Sequence, residues 1–183
     1  MSFTGIKGKG KGLFDRDDKG DYWWELRDCD YYSEFEKEKI VWAEMTNEPA
    51  FALDVGKFYT MQTIYIMTGK NLKYIIGILN SKISYFYLTK IAYSLSNNAN
   101  GWIKQYVEQI PVPPITPQNQ SLVSQIESLV DQILEITRQP DYDPDSSTEA
   151  TQKVKSLESQ IDQLVYQLYG LTDEEIKIIE GGE

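Results

Sequence analysis

The 183-residue chain contains no histidine and a single cysteine, Cys29. Those two shortages exclude a disulfide framework, a Cys/His zinc site and any catalytic triad that uses imidazole as its base. No apolar run approaches the roughly eighteen residues that would span a bilayer, and MSFTGIKGKGKG lacks the hydrophobic stretch of a signal peptide, so the expected setting is cytoplasmic with no membrane partner. Disorder of the whole chain is not expected either, since hydrophobic residues make up 41% and charged residues 25%.

Acid is missing from one long stretch. Val55 to Val107 holds Lys57, Lys70, Lys73, Lys82, Lys90 and Lys104 without one Asp or Glu. The net charge of −10 lies elsewhere: residues 1–110 carry fourteen cations and fourteen anions, whereas residues 111–183 carry four against fourteen. The middle of the chain is therefore a candidate basic face for a phosphate backbone, with scattered solvated lysines as the plainer reading.

Motifs for chemistry are also wanting. Gly5, Gly10 and Lys11 fall at phosphate-loop spacing, but Gly12 stands where a magnesium-binding hydroxyl is needed and no strand precedes Gly5. Asp141, Asp143 and Asp145 begin like a calcium loop and then lack its turn glycine and closing glutamate. No Asn-Pro-Pro-Tyr/Phe motif of an adenine methyltransferase is present, since the adjacent Pro113 and Pro114 follow Val112 and precede Ile115. The chain is expected to catalyse nothing and to hold no cofactor itself.

What is present is an α+β pattern. Asp21 to Leu26, Lys39 to Met45 and Phe58 to Gly69 are aromatic and β-branched runs that read as strands, with turns at Asn47 to Pro49 and at Gly56. The apolar period then changes, and Leu72, Ile75, Ile76, Leu79, Ile83, Phe86 and Tyr87 predict one helix from Asn71 to about Lys90. Ser94 to Gly101 reads as a polar loop, and Pro111, Pro113, Pro114 and Pro117 mark a boundary. Beyond it, Leu122, Ile126, Leu129, Ile133 and Ile136 form one helical seam, and Val154, Leu157, Ile161, Leu164 and Leu168 form a second. Joined through QPDYDPDSS, they predict an antiparallel hairpin that serves as a spacer, as a docking surface, or as a helical subdomain packed on its own domain. Gly170 is placed to end the second helix, and Thr172 with Glu175 to cap a short third one. Val123, Val130 and Val165 flank the seams and are expected to face a further helix, giving a homodimer through the arm. The expected division is residues 1–116 as one domain and 117–183 as the helical arm.

Four stretches in this order carry a resemblance: KGLFDRDDKGDYWWELR leading to KIVWAEM, then LKYIIGILNSKISYFYL, then YVEQIPVPPI, and last IDQLVYQLYGLTDEEIKIIE. Together they resemble the C-terminal specificity domain of TaqI-like type IIG restriction-methyltransferases, and more distantly one half of a type I specificity subunit. The resemblance implies a target recognition domain with a mixed β-sheet and packed helices, followed by the helical spacer. It also implies double-stranded DNA as partner, together with a methyltransferase/nuclease part, in cis or in trans, that uses S-adenosylmethionine and Mg2+. The expected function is to direct an adenine-specific methyltransferase or endonuclease to its site, and the alternative is a helical docking protein that binds no DNA. A small metal-dependent nuclease is disfavoured by the missing acidic cluster.

No base-reading residue carries over from such a family, because its members read different sequences. Physical candidates are Asn97, Asn98, Asn100, Gln105 and Gln62 for base edges, with the six lysines on phosphates. Trp23, Trp24, Trp42, Tyr85 and Tyr87 are expected in the core in preference to stacking on bases. Residues 1–20 read like a chain cut in mid-segment, which favours an excised fragment over a separate subunit.

Overall fold

A computed structural model of the chain describes residue 22 and residues 32–48, 50–56, 58–60, 63–92 and 100–181. Its α+β class is as expected. After a one-turn helix, α1 (Tyr32–Phe35), come β1 (Glu38–Ala43), β2 (Met45–Thr46), β3 (Phe51–Val55) and β4 (Ile64–Thr68). Next come α2 (Leu72–Leu79), α3 (Lys82–Ile91), β5 (Asn100–Gly101) and α4 (Lys104–Val107), and then α5 (Gln120–Thr137), α6 (Glu149–Tyr169) and α7 (Asp173–Ile179). One sheet has the order β3-β1-β4 and a two-residue ribbon pairs β2 with β5. Every pairing among the described residues is antiparallel, where the sequence reading has a mixed sheet.

β1 earns the central place because both of its faces are closed. Ile40 and Trp42 point to the helical layer and are buried beside Phe51, Leu53, Tyr65 and Met67 of the flanking strands. On the other face, the fully buried Lys39 pairs with Asp54 of β3, and its Nζ donates to the Phe35 carbonyl at 2.7 Å. The ion pair thereby fastens α1 across two strands.

β3 is an element the sequence reading passes over. Phe51 to Val55 is short and interrupted by Ala52 and Asp54, so its apolar alternation is weak; its place is set by five partners on β1. At its end Gly56 adopts φ +84°, and a Cβ there would lie 2.4 Å from the Glu36 carbonyl oxygen. Of the strand expected over Phe58 to Gly69, the described residues form β4 over Ile64–Thr68, and Gln62 and its neighbour Met61 lie outside them.

The single helix expected from Asn71 to Lys90 is two helices. At the break, the Asn80 side chain accepts from the Phe51 N–H at 3.0 Å and donates to the Phe51 carbonyl at 2.9 Å, imitating a neighbouring strand. The Lys82 N–H, free at the start of α3, donates to Asp162 Oδ1 at 2.9 Å. Apolar period alone does not register such a break, because Leu79 and Ile83 keep four-residue spacing across it.

α5 and α6 form the expected antiparallel pair, with Gln125 to Leu129 facing Ser156 to Leu164 and Gln132 to Gln139 facing Thr148 to Lys153. Gly170 ends α6 at φ 67°, and Thr172 with Glu175 completes a reciprocal capping box on α7. The arm does not stand apart, however. Val123, Val130 and Val165, expected to await a partner helix, are buried at 1%, 6% and 0% exposure. The third helix is the chain's own α2, whose Gly77 comes so close that a Cβ would meet Ile126 Cγ2 at 2.6 Å. These valines therefore offer no dimer surface. One apolar core runs from Ile40 and Trp42 of the sheet through α2 to Ile126, Ile161 and Val165 of the arm, across residue 116. The proline segment between them is tied down through its carbonyls: Tyr74 donates to Pro113 and Tyr169 to Pro111, each at 2.8 Å. Burial pushes the Tyr74 phenol up, and burial with the nearby Tyr74 pushes Tyr169 up to about 12.

Candidate nucleic-acid interface

The candidate lysines do not share one face. Lys73 on α2 pairs with Asp131 of α5 at 2.6 Å, and Lys82 on α3 pairs with Glu180 after α7 at 3.0 Å. Both are turned to the acidic arm, which explains how a strongly acidic segment packs on an acid-free one. All four side chains are partly exposed, so each pair contributes about 0–1 kcal/mol and serves register more than stability. Lys70 is exposed in the β4–α2 turn, beside Asn71 in the left-handed conformation and at the end of the sheet where Thr68 bonds to Glu34.

Of the other described candidates, Lys90 and Lys104 lie on α3 and α4, two helices that pack on each other. Lys90 occupies the last turn of α3, exposed, with its ammonium 4.9 Å from the centre of the Phe86 ring. Lys104 opens α4, which packs on α3, and is highly exposed with only a loose 3.8 Å pairing to Glu108. Gln105 is exposed beside it; its backbone carbonyl accepts from Gln109 Nε2 at 2.5 Å and its amide faces solvent. Between these two cations in the chain lie residues 93–99. Lys57, Gln62, Asn97 and Asn98 lie outside the described residues, as do Trp23 and Trp24; for Asn100 the backbone is described, in β5, and the side chain is not.

A buried tryptophan positions this end of the molecule. Trp102, fully buried, donates its backbone N–H to the Glu44 carbonyl at 2.7 Å and its indole N–H to the Thr46 carbonyl at 3.0 Å. Its own carbonyl accepts from the Trp42 indole at 2.8 Å. Both indoles thus satisfy their polar edge inside the core, as expected of Trp42, and clamp β5 against β2, two residues before α4 begins at Lys104. Tyr85 of α3 leans on Trp102 at 6.5 Å and is 39% exposed, so it is not the core residue expected of it, whereas Tyr87 is half-buried. Tyr85 and Met45, the latter 54% exposed on β2, leave apolar surface exposed around the Trp102 clamp. Neither has a periodic signal in the sequence. The tryptophan that follows the Asn-rich run is the cue that could have located both.

Lys90, Lys104 and Gln105 are exposed on the two helices next to this ribbon in the chain, side chains of the type that contacts a polyanion. Among the described residues no three His, Cys, Asp or Glu side chains gather to hold a metal ion, and no helix is long and apolar enough to cross a membrane. The profile of the TaqI-like C-terminal specificity domain matches residues 11–112, more than half of the chain and all of the elements from α1 to α4.

The chain belongs to the TaqI-like C-terminal specificity domain family. Membership gives it a DNA-recognition role in restriction-modification and association with a catalytic domain. No curated protein matches the chain. Within this specificity domain the matched segment holds both Lys90 and Lys104, and it ends before α5, so the helical arm lies beyond the matched residues.

Proposed function

We propose that this specificity domain reads a short DNA sequence for a type IIG enzyme, bringing an adenine-specific methyltransferase, with its endonuclease activity where present, to the site. The family match over residues 11–112 carries the reading. Lys90 and Lys104 hold phosphates, Lys70 and Lys57 add further cations, and Asn97, Asn98, Asn100 and Gln105 supply the amides that pair with base edges. Lys73 and Lys82, engaged by Asp131 and Glu180, serve the junction with the arm in place of the DNA. S-adenosylmethionine and Mg2+ belong to the catalytic part, and the working compartment is the cytoplasm, where that part meets its DNA.

The test is a selection from random duplexes by the purified chain, followed by sequencing. One short motif containing adenine should be enriched over successive rounds. Recovery of unselected sequence at every salt concentration would leave a non-specific cation surface and defeat the assignment.

A further inference from the structure

Among the described residues β3 is an edge strand, paired with β1 on one side only. Glu44 donates its N–H to the Thr63 carbonyl at 2.9 Å, which directs the even-numbered residues of β1 toward β4 and the odd-numbered ones toward β3. Phe51 and Leu53 stand opposite Trp42 and Ile40, so their N–H and C=O groups point away from β1. Asn80 satisfies both groups of Phe51. The N–H and C=O of Leu53 have no hydrogen-bond partner among the described residues.

A cavity of about 320 Å³ opens beside that edge, between β3, α2 and the α5–α6 pair. Its floor is apolar, formed by Ile76, Gly77, Val130 and Ile161. Its charged lining is two carboxylates, Asp162 and Glu158, against one guanidinium, Arg138 at the end of α5. Asp162 is only 6% exposed; its Oδ1 accepts the Lys82 N–H, and its Oδ2 accepts nothing among the described residues. Glu158 stands exposed at the rim, where the charge of Lys155 acts on it. Desolvation holds both carboxyls above their ordinary range, with Asp162 adding to the effect on Glu158; the Lys155 charge opposes it at Glu158, and the Lys82 N–H and charge oppose it at Asp162. A buried carboxylate with an idle oxygen is costly unless a cation meets it.

We propose that the free edge of β3 and this cavity together dock an extended peptide segment of a partner polypeptide, which adds a strand beside Leu53 and inserts an arginine or lysine side chain toward Asp162 and Glu158. Main-chain bonds to an exposed edge supply affinity in such additions, and a pocket for one side chain supplies selectivity. The stem of a long basic side chain suits the apolar floor, and its charged head suits the two carboxylates. The site is formed by β3, α2, α5 and α6, not by the α3–α4 end that carries Lys90 and Lys104, so it leaves the DNA contact free.

The test uses the whole chain, labelled with nitrogen-15, and a blocked pentapeptide of sequence threonine-valine-arginine-valine-threonine. Titration should shift the amide signals of Leu53 and Val55 and of residues around Asp162, with a Kd on the order of 1 mM. Replacing the peptide's arginine by glutamate, or methylating its edge-facing amides, should weaken binding about tenfold or more, as should Asp162→Asn in the protein. Should Asp162→Asn lose its fold, Glu158→Gln at the rim reads the same interaction. Equal binding of the arginine and glutamate peptides, or no shift at Leu53, would overturn the proposal. Equal response to benzamidine alone would also overturn it, by showing that the strand edge contributes nothing.

Discussion

At the residue scale, two buried carboxylates behave in opposite ways because of what stands beside them. Asp54 has the Lys39 ammonium against it and also accepts the Phe58 N–H at 3.2 Å. Removing the cation alone would strand a buried charge. Lys39→Ala is therefore expected to cost about 3–5 kcal/mol in urea denaturation, whereas replacing both partners by apolar residues of similar size should cost far less. Asp162 lacks such a partner: burial raises its pKa above the ordinary 3.8, the Lys82 N–H and the Lys82 charge lower it in part, and Glu180 raises it again. Because the folded state then holds the proton more tightly than the unfolded one, this group's stabilising contribution is present below pH 3.8 and is lost as pH rises through the raised value. The stability of the wild type relative to Asp162→Asn should accordingly fall between acid and neutral pH. A difference that stays flat across that range would show that the carboxyl is not perturbed.

At the scale of elements, the contact that decides the architecture is α2 on the α5–α6 pair. Val130 and Val165 are buried there, and each such side chain contributes about 1.5–3 kcal/mol. Val130→Lys is expected to lower cooperativity and midpoint in thermal unfolding followed by circular dichroism, because the ammonium would enter an apolar contact. A variant as stable as the wild type would mean that the arm detaches readily from the sheet layer. The helices of the arm were legible in the sequence, since long seams, a terminal glycine and a capping box all agree. What faces those seams was not legible. The seam that steps by three and four marks apolar positions without saying which neighbour covers them, and the neighbour is a helix some fifty residues earlier in the chain, admitted by the bare backbone of Gly77. β3 and the break at Asn80 escaped for a related reason: both depend on the bonds between Asn80 and Phe51, residues 29 positions apart.

At the scale of the whole molecule, the acidic arm and the acid-free middle are one charge-balanced unit at their contact, and this changes which lysines are available to DNA. Counting acids along the chain found the basic stretch. It could not distinguish Lys73 and Lys82, which meet Asp131 and Glu180, from Lys90 and Lys104, which stay exposed on α3 and α4. The family match over residues 11–112 covers the first two of the four motifs and most of the third, while the last, Ile161 to Glu180, lies beyond it. The measurement that bears most directly on the account is duplex DNA affinity as a function of salt for the wild type and for Lys90→Glu with Lys104→Glu. The double variant should keep its fold, bind at least about tenfold more weakly, and reduce the slope of log affinity against log salt by roughly 2, one unit for each lost phosphate contact. An unchanged affinity and slope, in a variant whose circular dichroism matches the wild type, would contradict it.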